Sequence, residues 1–445
     1  MIRRSLVLPL ILCAFGCDAP KEEPEAKALP TVVLSSHQTK TADGWTIALR
    51  RYQKSTGTEY QEPILLSSGF LECGAIFDLS EKYSLARHLA MQGWDVWTFD
   101  IRGTGESQSP AVSDLFGWDD VTMDHFVYFD APAAVEFVRS TTGAQQIQWA
   151  GHSLGALMMY AYLESVDAWK VRSAVSLGGI AVLDEDQDLP SKFAEVFFAV
   201  GVFLLPFLPS DMPVPLGWAI KKLIGNNTEI WSIVSYLMSF APTKLLWNPQ
   251  NINPNLIYLV LTKVLSNTST NVFKQFFAWA KKGDCFSYGV KYKPPTNGGG
   301  GGTGGSGGGG TTGGGNTGGG GTTTGGGLGG GVQAPMPSGG GGPPAQSNGD
   351  GTVTIGKDYS FTQNLWRIQR PMLVVSGQAD AMAPPDHTVF VYQQVASPDK
   401  GYMNCAVSTG HVVDYGHTDM LAGIHARTDV YTHLSDWFRP RSTRK

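Results

Sequence analysis

Charge is scarce in this chain. Of its 445 residues 16% are Asp, Glu, Lys or Arg, the formal net charge is -5, and beyond Arg3 and Arg4 no block of basic residues occurs. Without a basic stripe there is no electrostatic footprint for nucleic acid, which is excluded as a partner. Cysteine is scarce as well, with five in all. Cys13 and Cys17 lie near the N-terminus, while Cys73, Cys285 and Cys405 are an odd set at wide spacing. They leave room for one disulfide among three pairings, but not for a disulfide framework. No CxxC or HxxxH spacing is present, so neither a metal nor another cofactor is expected. Neither the run from Leu6 to Phe15 nor that from Phe197 to Leu205 reaches the roughly 20 apolar residues a membrane-spanning helix needs.

What the chain does have is a strand pattern running into a helix pattern across five small-turn residues. Gln146 to Ala150 alternates, Gly151-His152-Ser153-Leu154-Gly155 follows, and Ala156 to Leu163 is helical in pattern. In a nucleophile elbow the serine sits at a strained backbone angle, and the residues two before and two after it must be nearly free of side chain so that strand and helix can pass. Gly151 and Gly155 meet that demand. A glycine-bounded turn whose Ser153 only caps the helix from Leu154 would look the same locally. The distinction rests on whether an acid and a histidine follow in the right order.

Around the elbow, strand and helix patterns alternate. Thr46 to Tyr52 alternates as a strand, Pro63 to Ser67 is apolar on both faces and so reads as a central strand, Ser84 to Gly93 is a helix, and Trp94 to Phe99 is a buried strand. Asp100 to Ser107 is a glycine-containing turn in which Asp100 and Arg102 are expected to pair structurally. Asp130 to Val138 is a helix and Val171 to Leu177 a further strand. Repeated β-α-β alternation predicts an α/β fold with a mostly parallel central sheet covered by helices on both faces. From about Ala181 to Pro294 the pattern turns to apolar helical runs, predicting an all-helical cap whose aromatic residues would line an apolar pocket. Gly298 to Gly331 is mostly glycine and threonine, and Val332 to Asp350 is rich in Pro, Gly, Gln and Ser. Such a stretch cannot bury enough apolar surface to offset its ordering entropy, and it reads as a disordered insertion. Core pattern resumes with strands at Pro371 to Gly377 and Tyr402 to Thr409 and a helix near Asp429 to Phe438.

At the N-terminus, Arg3 and Arg4, the apolar run Leu6 to Phe15, and Gly16-Cys17 have the order of an export signal. The Ala14-Phe15-Gly16-Cys17 end resembles a bacterial lipobox, which implies cleavage before Cys17, its lipidation and anchoring to a membrane of the bacterial cell envelope. Ordinary export to a periplasmic or secreted form is the alternative. The expected organisation is a signal peptide over 1–16, a tether over 17–40, core over 41–180, cap over 181–297, insertion over 298–350 and core again over 351–445.

Serine hydrolysis needs a nucleophile, a histidine to take and return its proton, and a carboxylate to hold the imidazole. In chain order the candidates are Ser153, then Asp380 in the loop after the 371–377 strand, then His417 or His411. Asp386 competes with Asp380 but stands beyond two prolines. His152 reads as packing beneath the elbow, and His387, His425 and His433 as surface or helix residues. The loop Ser68-Gly69-Phe70-Leu71 follows the second strand, so the amides of Phe70 and Leu154 are the candidate oxyanion hole.

At these residues the chain resembles the acid lipases, gastric and lysosomal lipase-like, of the α/β-hydrolase superfamily. The resemblance runs through Gly93 to Trp97, Asp130 to Ala133 with Thr142-Gly143, the elbow Gly151 to Gly155, Thr268 to Trp279 with Gly283 to Tyr288, and Tyr415 to Asp419. It covers most of 41–296 and 357–438. The family's histidine precedes an x-Asp step, which selects His417 over His411. The chain departs from it in Ser68, where histidine is usual, in Leu154, where glutamine is frequent, and in the glycine-rich insertion. The resemblance implies hydrolysis of carboxylic esters, lipidic ones foremost, through an acyl-enzyme at Ser153. Acyl transfer on the same triad and non-catalytic lipid binding are the alternatives. Oligomeric state is not legible.

Overall fold

The apolar runs become strands of one eight-stranded sheet. In a computed structural model, which describes residues 31–110, 118, 121–183, 213–214, 246–292, 345–347 and 352–445, the chain begins with β1 (Val32–Lys40) and β2 (Thr46–Lys54). It continues through β3 (Ile64–Ser67), α1 (Leu85–Met91), β4 (Val96–Asp100), α2 (Ala131–Thr142), β5 (Ile147–His152), α3 (Leu154–Ser165) and β6 (Val171–Leu177). Between the halves of the core lie β7 (Pro213–Val214), α4 (Pro254–Leu259), β8 (Thr268–Ser269), α5 (Thr270–Lys282), β9 (Val290–Tyr292), β10 (Ala345–Ser347) and β11 (Val353–Ile355). The chain closes with β12 (Met372–Gly377), α6 (Pro385–Gln394), β13 (Lys400–Cys405) and α7 (Thr432–Phe438).

The sheet order is β1-β2-β4-β3-β5-β6-β12-β13, and every pairing from β4 to β13 is parallel. β3, β5, β6 and β12 carry side chains buried on both faces, as strands covered by helices must. One core packs Trp97, Trp149 and Val374 against α2, α3 and Val391 of α6. The other packs Ile64, Val96 and Val375 against α1 and α7. This is the α/β-hydrolase architecture, and it brings the loops after β3, β5, β12 and β13 to one edge of the sheet.

Several expectations are corrected. The tether cannot run to 40, because Val32–Lys40 is a full antiparallel partner of β2; its mostly exposed side chains hide a strand whose backbone is paired. The interval 181–297 is not all helical, since β7 pairs with β8 and β9 joins the β10-β11-β9 sheet. That sheet also ends the insertion before 350, because Ala345–Ser347 pairs with Val353–Ile355. The last strand stops at Cys405, where the Thr409 hydroxyl donates to Asn404 O at 2.6 Å and curls the chain. Asp100 and Arg102 do not pair with each other. Arg102 is buried between Asp130 and Asp43, with Nη2 2.7 Å from Asp130 Oδ1 and Nη1 2.6 Å from Asp43 Oδ2, while Asp100 accepts from the amides of Gly74 and Glu106. Cys73, Cys285 and Cys405 are buried, and none of the three forms a disulfide among the described residues. The apolar runs at 193–208, 218–224 and 230–240, the signal with Cys17, and most of the glycine-rich insertion lie outside the described residues. Among the described residues no helix is long and apolar enough to cross a membrane.

Candidate active site

Ser153 is the residue between β5 and α3, and its φ of 52° and ψ of -119° lie where a non-glycine residue is rare. Close packing holds it there. A Cβ on Gly151 would come 2.6 Å from Gly155 O and 2.7 Å from Ala156 Cα, and a Cβ on Gly155 would meet Ser67 O and lie 2.6 Å from Ser68 O. Strand and helix therefore pass at backbone distance, with the turn thrust outward. The Ser153 amide donates to Leu177 O at 2.9 Å, tying the elbow to β6. Leu154 opens α3, so its N–H has no acceptor within the helix.

The other two candidates are joined. Asp380 follows β12 and His417 follows β13, and His417 Nδ1 lies 2.8 Å from Asp380 Oδ2. Asp380 Oδ1 accepts from the amides of Met382 at 2.9 Å and Ala383 at 2.7 Å, which fixes the carboxylate before it meets the ring. Both side chains are buried. Burial works to lower the His417 pKa, but the charge and hydrogen bond of Asp380 outweigh it, and the ring is held above its ordinary value. Asp386, by contrast, is exposed in the first turn of α6. His411 is half-buried and meets Thr409 Oγ1 at 3.1 Å, away from either carboxylate candidate. His387 is buried on α6 and not at the surface, His425 is half-buried and His433 exposed.

Ser153 is linked to this pair through its neighbour. The ring of His152 is buried, its centroid is 4.8 Å from that of His417, and its Nε2 is 3.2 Å from His417 O. Ser153 Oγ makes no hydrogen bond among the described residues. The β3 loop reaches the same place, since a Cβ on Gly69 would come 3.1 Å from both Ser153 Cβ and His152 Nδ1. Phe70 then packs its ring against Phe273 and Phe276 of α5, both at 4.9 Å between centroids, so the cap rests on the loop that carries the candidate oxyanion amide.

Two site residues escaped sequence reasoning. Glu72, three residues after Gly69, accepts from the Gly69 amide at 2.8 Å and meets His152 Nδ1 at 3.2 Å. Asp419 accepts from Gly416 N and Asn248 N, each at 3.0 Å, and locks the His417 loop to the segment entering from the cap. Burial, with Asp380 nearby, pushes the Asp419 carboxyl up to about 7. Its place in the Tyr415 to Asp419 run was the available signal; Glu72 had none beyond proximity to Gly69. Among the described residues no group of three or more His, Cys, Asp or Glu side chains is placed to hold a metal ion.

Residues 62–204 match the family described as the alpha/beta hydrolase fold. Over 427 residues the chain is 23% identical to triacylglycerol lipase 1 of Arabidopsis thaliana, covering 92% of this chain and 87% of that one. It is 23% identical over 460 residues to lipase lipl-1 of Caenorhabditis elegans, covering 97% and 96%. With the human lysosomal acid lipase/cholesteryl ester hydrolase it shares 27% identity over 156 residues, 32% of this chain and 38% of that protein. Among solved structures, a soluble variant of the monoglyceride lipase of Saccharomyces cerevisiae with a substrate analog superposes at a TM-score of 0.50 with 15% identity, covering 94% of this chain and 99% of that one, a likeness of fold.

Proposed function

Because the chain is an α/β hydrolase of the lipase and esterase type that resembles the acid lipases, we propose that it hydrolyses lipidic carboxylic esters through an acyl-enzyme on Ser153. The observation that carries this reading is the strained Ser153 elbow at the same sheet edge as the hydrogen-bonded Asp380–His417 pair. His417 Nε2 takes the Ser153 proton as Oγ bonds to the ester carbonyl carbon, while Asp380 holds the Nδ1–H and so the tautomer. The carbonyl oxygen becomes an oxyanion received by the N–H groups of Phe70 and Leu154. Collapse breaks the carbon–oxygen bond to the alcohol, which leaves with the proton from His417. Water, deprotonated by His417, then attacks the acyl carbon; the bond from that carbon to Ser153 Oγ breaks as His417 returns the proton to Oγ, and the free acid leaves.

The apolar preference is supported by Phe273 and Phe276 of α5, whose rings pack against Phe70, and by Trp279, which packs against Phe276. Each buried substrate methylene contributes up to about 0.8 kcal/mol, so four can raise kcat/KM by about a hundredfold. The test is labelling by a fluorophosphonate in wild type and Ser153→Ala, with kcat/KM for p-nitrophenyl esters from acetate to palmitate. Labelling lost in Ser153→Ala and a rise in kcat/KM with chain length are expected. A Ser153→Ala enzyme with a tenth of wild-type turnover would overturn the nucleophile; a monotonic fall from acetate would overturn the lipidic substrate. The enzyme is further proposed to be exported and held to a membrane through a lipid on Cys17, which Cys17→Ser should release from the membrane fraction.

A further inference from the structure

The chemistry above leaves Glu72 and His152 unused, although both touch the turn that carries the Phe70 amide. Glu72 Oε2 takes the Gly69 N–H at 2.8 Å and faces His152 Nδ1 at 3.2 Å, while His152 Nε2 faces His417 O at 3.2 Å. Both neighbours of the ring accept hydrogen bonds and neither donates one. A neutral imidazole carries a single N–H and would leave one ring lone pair against an acceptor; the doubly protonated ring satisfies both contacts. Burial works against ionisation of the Glu72 carboxyl, yet its contacts with His152 and with the Gly69 N–H hold it below its ordinary value.

A carboxylate here has two opposing effects. It fixes the Gly69 amide and therefore the aim of the next one, that of Phe70. It also sets a negative charge one residue from the amide that must receive an oxyanion, and an uncompensated charge so close opposes the transition state. We propose that Glu72 and His152 are a positioning pair for the oxyanion loop, in which Glu72 clamps Gly69 and the His152 imidazolium cancels the Glu72 charge. The proposal rests on the acyl-enzyme reading above and deepens it.

The test is a double-mutant cycle of Glu72→Gln and His152→Gln, with kcat and KM on p-nitrophenyl butyrate and thermal unfolding for each variant. His152→Gln leaves the carboxylate unneutralised and should lower kcat by about a hundredfold with KM within a few-fold. Adding Glu72→Gln removes that charge while a carbonyl oxygen remains for the Gly69 N–H, and should recover kcat by about tenfold over His152→Gln alone. A pair serving only stability would give a double variant no faster than the worse single one, and that result overturns the proposal. Should His152→Gln not fold, Glu72→Ala against Glu72→Gln decides: Gln should turn over at least about tenfold faster, and an Ala variant at wild-type kcat refutes the clamp. Ser153→Ala in the same assay separates the two readings. If it keeps turnover, the acyl-enzyme reading fails; if it is inactive, the recovery arm judges this one.

Discussion

Gly155→Ala puts the elbow's geometry to the test without touching a reacting atom. The added Cβ would sit 2.6 Å from both Ser67 C and Ser68 O, and closer still to Ser67 O, all backbone atoms that no rotamer change can move. Strand end and helix must therefore separate by about 0.5 Å or more, an overpacking cost of about 1–3 kcal/mol. The Ser67 hydroxyl also donates to Gly155 O at 3.0 Å, and stretching that buried bond adds about 1 kcal/mol. Since Phe70 lies two residues beyond Ser68, the shift also reaches the candidate oxyanion amide, where misplacement by about 1 Å costs about a hundredfold in rate. Gly143→Ala is the control: Gly143 has φ of 72° but nothing within 4 Å of an added Cβ, so it should lose only about 1 kcal/mol of backbone preference and no turnover. Urea unfolding with kcat/KM on p-nitrophenyl butyrate reads both effects. Wild-type stability and turnover in Gly155→Ala, or loss of turnover in Gly143→Ala instead, would refute the reasoning.

His417→Ala should abolish turnover, on the order of 10⁶ in kcat, while His411→Ala should be mild; the reverse result in paired kinetics would move the base to His411. Because Asp380 holds the His417 pKa above 6.5, the acid limb of kcat/KM should fall above pH 6.5, and a limb well below it contradicts the pairing. The same shift makes a stability contribution that is full below pH 6.5 and fades as pH rises through the folded value, so Asp380→Asn should lose more stability at pH 6 than at pH 9. Asp419 is held at about 7, so ionising it costs stability above its unfolded value of 3.8. Asp419→Asn keeps an acceptor for Gly416 and Asn248 and should be as stable as wild type or more so at pH 8. Asp419→Ala strands both amides and should lose about 2–4 kcal/mol by urea titration.

The core was legible because its strands carry their evidence locally. Ile64–Ser67 and Met372–Gly377 are largely apolar runs bounded by turn residues, and a strand buried on both faces has little choice but to read that way. Val32–Lys40 was not, for the opposite reason: an edge strand satisfies its backbone through β2 while leaving its side chains in water, so composition alone resembles a tether. β10 and β11 failed similarly, because three-residue strands take their stability from partners: β10 pairs with β11, and β11 in turn with β9, far away in sequence.

The site divides along the same line. Ser153, Gly151 and Gly155 form one short motif whose spacing reports a backbone demand, and Asp380 and His417 follow from strand ends and chain order. Glu72 reports nothing by spacing, and the spacing of Asp419 from His417 marks its place but not its role, since each acts by accepting amides or meeting a ring on another segment. Arg102 makes the point from the other side: Asp100 is two residues away, yet Arg102 pairs with Asp130 and Asp43, because a buried guanidinium needs several acceptors in its own plane and Asp100, the last residue of β4, turns its carboxylate to the amides of Gly74 and Glu106. The pairing of Arg102 is thus decided by tertiary geometry. Each candidate catalytic residue can be read from its own short stretch of chain and its place in the chain order; those proposed to aim them become visible only when the strand-end loops have converged.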